Sequence, residues 1–130
     1  MRTHATDAMR GLAAAGVLLA AVVHLDVYEQ GFRDIPTIGP LFLLDFVAGL
    51  AVGVAVLVWR HWLTALLAAG FGAVTVAAYW VSVVHGLFGV KEGTDGWPQN
   101  LAASAEYAAI AFGLGAAGLL RPGPSRRRSG

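Results

Sequence analysis

Four long apolar stretches constrain most strongly what this chain of 130 residues can fold into. A helix needs about 20 mostly apolar residues to cross the hydrocarbon core of a bilayer. The four stretches that meet this requirement are Met9–Tyr28, Pro40–Trp59, Trp62–Phe88 and Pro98–Leu120. Only 13% of the residues are charged, whereas soluble domains carry roughly 25%. The sequence therefore predicts an all-α membrane protein in which each stretch forms one transmembrane helix.

The three connections between these stretches are short. EQGFRDIPTIG and GVKEGTDGWPQN contain Gly, Pro, Asp and Thr, which are typical turn residues, and WRHW leaves room only for a tight turn. Short connections make consecutive helices antiparallel neighbours. We therefore predict an up-down-up-down four-helix transmembrane bundle. It forms a single membrane domain over residues 1–122, followed by a basic tail over residues 123–130.

The basic residues predict the orientation of this bundle, because cytoplasmic loops are enriched in Lys and Arg. With the N- and C-termini both cytoplasmic, the outer side carries only Arg33 and Lys91. The inner side then carries the arginines at positions 2, 10, 60, 121, 126, 127 and 128. A secretory signal peptide is the alternative interpretation of the first stretch, since Arg2 and Arg10 precede or begin it. No small-x-small cleavage site lies convincingly before His24, which favours a retained helix.

Composition also limits the function. The chain contains no cysteine, which excludes disulfides, thiolate ligands and cysteine nucleophiles. Its net charge of +1 gives no bulk field that would attract nucleic acid. Ser82 and Ser104 lie in no nucleophile motif, so the sequence does not favour an enzyme, although it leaves that question open. The predicted partners are the lipid bilayer and either further copies of the chain or a larger membrane complex.

Ionisable residues inside the predicted spans carry most of the functional information. Such a residue costs roughly 2.5–3.5 kcal/mol at the centre of a membrane helix, and its default interpretation is a functional one. Each predicted helix contributes one in its outer half: His24, Asp45, His85 and Glu106. Glu106 lies deepest, about 12 Å along its helix from Pro98 at 1.5 Å per residue. Asp45 also fits an early helical turn, where the helix dipole favours a carboxylate.

Helix bundles build ligand and metal sites from side chains that face each other on different helices. Two histidines with carboxylates suit a transition metal, and two histidines at equal depth suit a haem. A proton, or a small polar or cationic ligand, would use the same cluster. The candidate metal ligands are His24, His85 and Glu106, with Asp45 as a further ligand candidate. The predicted supporting residues are Tyr28, Tyr79 and Asp26.

A second functional interpretation stays open. The chain is also compatible with a structural or accessory subunit of a larger membrane complex, whose polar residues only lock the bundle. Small residues allow membrane helices to approach closely. They occur at helical spacing in three predicted spans: Gly49 with Gly53, Ala109 with Gly113 and Ala117, and Gly70 with Ala73 and Ala77.

One family resemblance covers most of the chain. The run HLDVYEQGFRDIPTIGPLFLLDFVAGL, followed by GLFGVKEGTDGW and an acidic fourth span, resembles a group of small four-span membrane proteins from bacteria of high genomic GC. The shared frame is His-Leu, an aromatic residue, Ile-Pro-Thr-Ile-Gly and Leu-Phe-Leu-Leu. That group is itself uncharacterised, so the resemblance implies a fold but no activity or site residues. We predict separately that the chain is integral to the bacterial plasma membrane.

Overall fold

The computed structural model of the protein describes residues 1–123. The basic tail predicted over residues 123–130 therefore lies almost entirely outside the described residues. Within the described part, the chain forms four α-helices that are each long and apolar enough to cross a membrane. They are α1 (Arg2–Glu29), α2 (Ile38–Val58), α3 (Trp62–His85) and α4 (Trp97–Leu120). The prediction of an all-α fold with four helices capable of crossing a membrane is confirmed.

The helix ends follow local chemistry. Proline lacks an N–H, and the first turn of a helix does not need that group, so α4 accommodates Pro98 directly after Trp97. The tight turn before α3 is fixed by His61, whose side chain accepts a hydrogen bond from the Leu63 N–H at 3.1 Å. At the other end of α3, Gly86 adopts a φ of +79°, which favours glycine and stops the helix before the predicted Phe88.

Helix α4 packs against both α1 and α3 through backbone contacts. A Cβ built on Gly16 of α1 would lie 2.6 Å from the Ala105 carbonyl oxygen, and one on Gly113 would lie 2.8 Å from the Ala65 carbonyl oxygen. Only a missing side chain allows these helices to approach so closely. Small residues therefore set the spacing of α1, α3 and α4.

Helix α2 occupies a more peripheral position. It packs against α1, where the side chain of Leu18 lies against Gly53. The contact between α2 and α3 is much smaller than the contact between α4 and α3. At the end of α2, Arg10 of α1 donates to the carbonyl oxygens of Val56 at 2.8 Å and Leu57 at 3.0 Å. We call this the Arg10 end of the bundle. The opposite end, the His24 end, holds a short 3₁₀ helix (Phe32–Asp34) and the α3–α4 connection.

Two of the three predicted small-residue stripes face neighbouring helices. Gly49 and Gly53 are buried in α2, as are Ala109, Gly113 and Ala117 in α4. The stripe predicted on α3 is wrong, because Gly70, Ala73 and Ala77 are exposed. The helix instead buries a neighbouring stripe that includes Ala65, Ala68, Ala69 and Gly72.

Candidate functional site

Three of the four predicted polar residues meet at the His24 end of the bundle. His24 lies near the end of α1, Asp45 in the second turn of α2 and Glu106 near the third turn of α4. The Nδ1 atom of His24 lies 3.1 Å from Asp45 Oδ2, and its Nε2 atom lies 3.9 Å from Glu106 Oε1. We call these three residues the polar triad. It joins α1, α2 and α4.

The surroundings of His24 define its hydrogen-bonding pattern. Its Nδ1 atom lies 2.7 Å from the carbonyl oxygen of Ala20, one turn earlier in α1. Both neighbours of Nδ1, this carbonyl and the Asp45 carboxylate, are acceptors, so we assign a proton to Nδ1. The other ring nitrogen is left to face Glu106 across 3.9 Å, which is longer than a hydrogen bond of about 3.2 Å or less. The ring also packs against Phe42 of α2, with a centroid separation of 5.1 Å.

Two carboxylate oxygens of the triad are buried without a hydrogen-bond partner among residues 1–123. They are Asp45 Oδ2 and Glu106 Oε2. Asp45 Oδ2 lies 3.1 Å from His24 Nδ1 and interacts with it electrostatically, but the hydrogen bond of that nitrogen goes to the Ala20 carbonyl oxygen. The side chain of Glu106 is only 2% exposed. A buried polar group without a partner costs free energy comparable to a lost hydrogen bond, so these two oxygens call for a ligand, water or proton.

The triad lines a cavity of about 530 Å³, and all four helices contribute residues to its lining. This volume lies in the range of small-molecule sites, which is about 300–1,000 Å³. Apolar side chains such as Val52, Leu67 and Phe71 line the part of the cavity toward the middle of the bundle. No Lys or Arg occurs among the described residues that line it. The cavity is therefore apolar along most of its length and rich in acceptors near the triad.

The α3–α4 connection closes part of this cavity and brings a third carboxylate to it. Ser82 donates through its hydroxyl to the Val90 carbonyl oxygen at 3.0 Å and accepts from the Glu92 N–H at 3.3 Å. Glu92 thereby lines the cavity and lies close enough to His24 to interact electrostatically. Burial raises the pKa of Glu92, and the positive form of His24 opposes this shift.

Sequence reasoning did not identify Glu92 or the buried Ser82 as site residues. The sequence offers one weak signal, the two glycines Gly86 and Gly89. Both take a positive φ in the structure, which allows the connection to fold back on the helix ends. Leu87 and Val90 pair as an isolated antiparallel bridge within it. Two glycines three residues apart are typical of many loops, so this pattern alone does not predict where Glu92 points.

Of the remaining predicted site residues, Tyr79 lines the cavity, whereas His85, Asp26 and Tyr28 do not. His85, the last residue of α3, is exposed and does not line the cavity, because the chain turns away at Gly86 and brings Glu92 there instead. Tyr79 does line the cavity, and its hydroxyl donates to the Gly93 carbonyl oxygen at 3.4 Å. Asp26 is exposed and accepts a hydrogen bond from Gln30 at 2.6 Å, and Tyr28 is half-buried outside the cavity lining.

The metal interpretation finds no support in this arrangement. Over the described chain, no group of three or more His, Asp or Glu side chains has a geometry that could hold a metal ion. His85 was predicted as a ligand together with His24 and Glu106, but it lies outside the cavity that those two residues line. The same exposure of His85 leaves the paired-histidine interpretation for a haem without its second ligand at this cavity.

The class of protein that these observations support is a membrane protein with four transmembrane-capable helices and a buried polar cluster beside a cavity. Comparison with protein-family models, with curated proteins and with solved structures finds no match for the chain.

Proposed function

We propose that the protein binds a small molecule in the cavity through a ligand head group that donates hydrogen bonds to Asp45 and Glu106. The observation that carries this proposal is that one buried carboxylate oxygen of each residue accepts no hydrogen bond from the described residues. A donor head group would satisfy both oxygens, whereas an acceptor or anionic head group would meet only further acceptors. Helix bundles hold ligands in this way, between facing side chains of different helices.

We further propose that the four helices cross a bacterial plasma membrane up-down-up-down, with both termini cytoplasmic. Hydrogen bonds from Arg10 in α1 to the final carbonyls of α2 support an antiparallel pair. An ion pair between Asp7 of α1 and Arg60, in the turn that follows α2, lies at the same end of the bundle. The Arg10 end would be cytoplasmic because it collects arginine. The polar triad then lies in the outer half of the membrane.

The proposal is tested by ligand-induced thermal stabilisation of the protein in mild detergent. Octan-1-ol, octylammonium and octanoate share one alkyl tail and therefore enter the micelle by the same apolar contact. We expect one or both of the donor-headed probes to raise the unfolding temperature of the wild type and octanoate to leave it unchanged. The substitution Glu106→Gln should weaken the binding of any stabilising donor-headed probe, and Asp45→Asn provides a second variant of the same kind.

The matched control is Glu29→Gln, which makes the same chemical change at an exposed carboxylate of α1 that pairs with Arg33 at 3.6 Å. Equal stabilisation by all three probes, unchanged in Glu106→Gln, would overturn the proposal. In that case the accessory-subunit interpretation would be favoured, and a fixed partner that co-purifies after gentle extraction would support it.

A further inference from the structure

We infer that the ligand of this cavity is a lipophilic amine, whose ammonium group binds at the polar triad and whose apolar body lies in the cleft between α2 and α3. This inference rests on the proposed function and adds the charge of the head group, the nature of its tail and the side from which the ligand enters.

The charge of the head group follows from the balance of ionisable groups at the cavity. Asp45, Glu92 and Glu106 supply three carboxyl groups, and His24 is the one basic side chain among the described lining residues. Burial disfavours an unpaired charge on any of these groups, so an ionised carboxylate here needs a cationic partner, and His24 can neutralise only one of the three. Buried charges are normally paired. A primary ammonium carries one positive charge and three N–H donors, which suits two unpartnered carboxylate oxygens better than a neutral hydroxyl does.

The tail follows from the walls of the cavity. Below the triad, the cavity continues along apolar residues of α2 and α3, including Val52 and Leu67. The interior lining away from the triad offers mainly hydrocarbon to a ligand. An ammonium attached to an alkyl or other apolar body therefore fits the whole cavity, whereas a small hydrophilic amine would leave most of it without contacts.

The entry side follows from the open seam between the same two helices. Leu44 of α2 and Val74 of α3 both line the cavity, yet they are 62% and 71% exposed. Because these residues lie on membrane-spanning helices, their exposed surface faces lipid rather than water. A ligand dissolved in the bilayer would therefore enter sideways, between α2 and α3.

The phosphate of a zwitterionic phospholipid would approach the same carboxylates without a compensating Lys or Arg in the described lining. We therefore assign the ammonium to a free lipophilic amine rather than to an ethanolamine headgroup. Vesicles that differ only in their content of phosphatidylethanolamine separate these two sources.

Gly70 provides a direct test of the lateral cleft. It lies on α3 in the cavity lining, and a Cβ built on it would meet no atom within 4 Å. Gly70→Leu therefore adds a side chain at the cleft from a position where its Cβ meets no neighbour. The control is Gly11→Leu, which makes the same change at an exposed position of α1 where a Cβ also meets nothing within 4 Å.

The experiment measures the binding of octylammonium, octan-1-ol and ethylammonium to the full chain, by thermal stabilisation in detergent and by isothermal titration in vesicles. We expect octylammonium to bind at least tenfold more tightly than either other probe. Glu106→Gln should weaken octylammonium roughly tenfold to a hundredfold, as expected when a hydrogen bond to a charged group is lost. Gly70→Leu should weaken it at least tenfold, and Gly11→Leu should leave it unchanged.

The outcomes separate this inference from the proposed function. If octan-1-ol binds as tightly as octylammonium and both depend on Glu106, the site exists but its ligand is not a cation. If ethylammonium binds as tightly as octylammonium, or if Gly70→Leu does not weaken the binding of octylammonium, the apolar cleft is not part of the site. Competition by phosphatidylethanolamine vesicles would overturn the assignment to a free amine. Loss of all dependence on Glu106 would remove the proposed function together with this inference.

Discussion

His24 is the residue on which the proposed site depends, because it contacts both other members of the polar triad. Its Nδ1 atom faces two acceptors, the Ala20 carbonyl oxygen at 2.7 Å and Asp45 Oδ2 at 3.1 Å. A ring nitrogen between two acceptors carries the proton in both the neutral and the cationic form of histidine. Asp45 and Ala20 thus fix the ring so that Nε2 points toward Glu106.

This assignment predicts opposite tautomers for two histidines of the same chain. In their neutral forms, His24 should carry its proton on Nδ1. His61 should carry it on Nε2, because its Nδ1 accepts from the Leu63 N–H. Long-range ¹H–¹⁵N NMR spectra of ¹⁵N-histidine-labelled protein distinguish the two forms, and His24→Gln and His61→Gln assign the signals. A neutral His24 protonated on Nε2 would contradict the arrangement described here.

Glu92 gives a prediction about stability and pH. Burial raises its pKa above the ordinary value of 4.5, so the folded protein holds this proton more tightly than the unfolded chain. Its ionisation therefore opposes folding above the raised pKa, and this effect disappears once both states are protonated below pH 4.5. We expect Glu92→Gln to be more stable than the wild type at pH 7–8.

The stability difference should shrink as the pH falls and vanish near pH 4, since the wild-type carboxyl is then protonated in both states. Unfolding temperatures measured from pH 4 to pH 8 check this, with Glu29→Gln as the control at an exposed carboxylate. A stabilisation of Glu92→Gln that stays constant over this range would show that ionisation is not its cause.

At the scale of the helices, glycine contacts decide how closely α4 approaches its neighbours. A Cβ on Gly16 would lie 2.6 Å from the Ala105 carbonyl oxygen and 2.9 Å from the Ala109 nitrogen. Both are backbone atoms, so the helices themselves would have to move apart. Gly16→Ala should therefore destabilise the bundle by about 1–3 kcal/mol, the usual cost of overpacking.

The control for Gly16→Ala is Gly11→Ala on the same helix, where a Cβ meets nothing within 4 Å. That change should be neutral or stabilising, because alanine favours a helix over glycine by about 1 kcal/mol. Reversible unfolding in mixed SDS micelles measures both variants. Equal effects at the two positions would mean that the close contact between α1 and α4 does not hold.

The same helix contacts show what could and could not be predicted from the sequence. The length of an apolar run and the position of proline depend on local chemistry, so four membrane helices and the start of α4 beside Pro98 were predictable. The rotation of a helix depends on all of its neighbours. The α3 stripe of Gly70, Ala73 and Ala77 (i, i+3, i+7) and the α4 stripe (i, i+4, i+8) each lie along one face of a helix, yet the α3 stripe is exposed while the α4 stripe is buried.

The candidate site also contains residues that the sequence could predict and residues that it could not. His24, Asp45 and Glu106 were identifiable because each is an ionisable residue at similar depth in a different apolar helix, and the structure brings them together. His85 has the same sequence signal but lies at a helix end where Gly86 redirects the chain. Glu92 lies in a loop, and its approach to the cavity depends on the hydrogen bonds made by Ser82.

At the scale of the whole molecule, the arginine distribution and the site make one joint prediction. If the Arg10 end is cytoplasmic, the cavity near the triad lies toward the outer leaflet, and the α3–α4 connection is accessible from outside the cell. The absence of cysteine allows single cysteines to be introduced without background. His4→Cys marks the start of α1, and Thr94→Cys marks the α3–α4 connection; both positions are exposed.

In intact cells, a membrane-impermeant maleimide should label Thr94→Cys, whereas His4→Cys should react only after the membrane is permeabilised. Because Arg10 and Arg60 both lie at the predicted cytoplasmic end, replacing them with glutamine should lower the fraction of correctly oriented chains. The reverse labelling pattern would show that the protein has the opposite orientation, with the cavity toward the cytoplasmic leaflet. A lipophilic amine would then be drawn from the inner leaflet, although its binding in detergent would be unchanged.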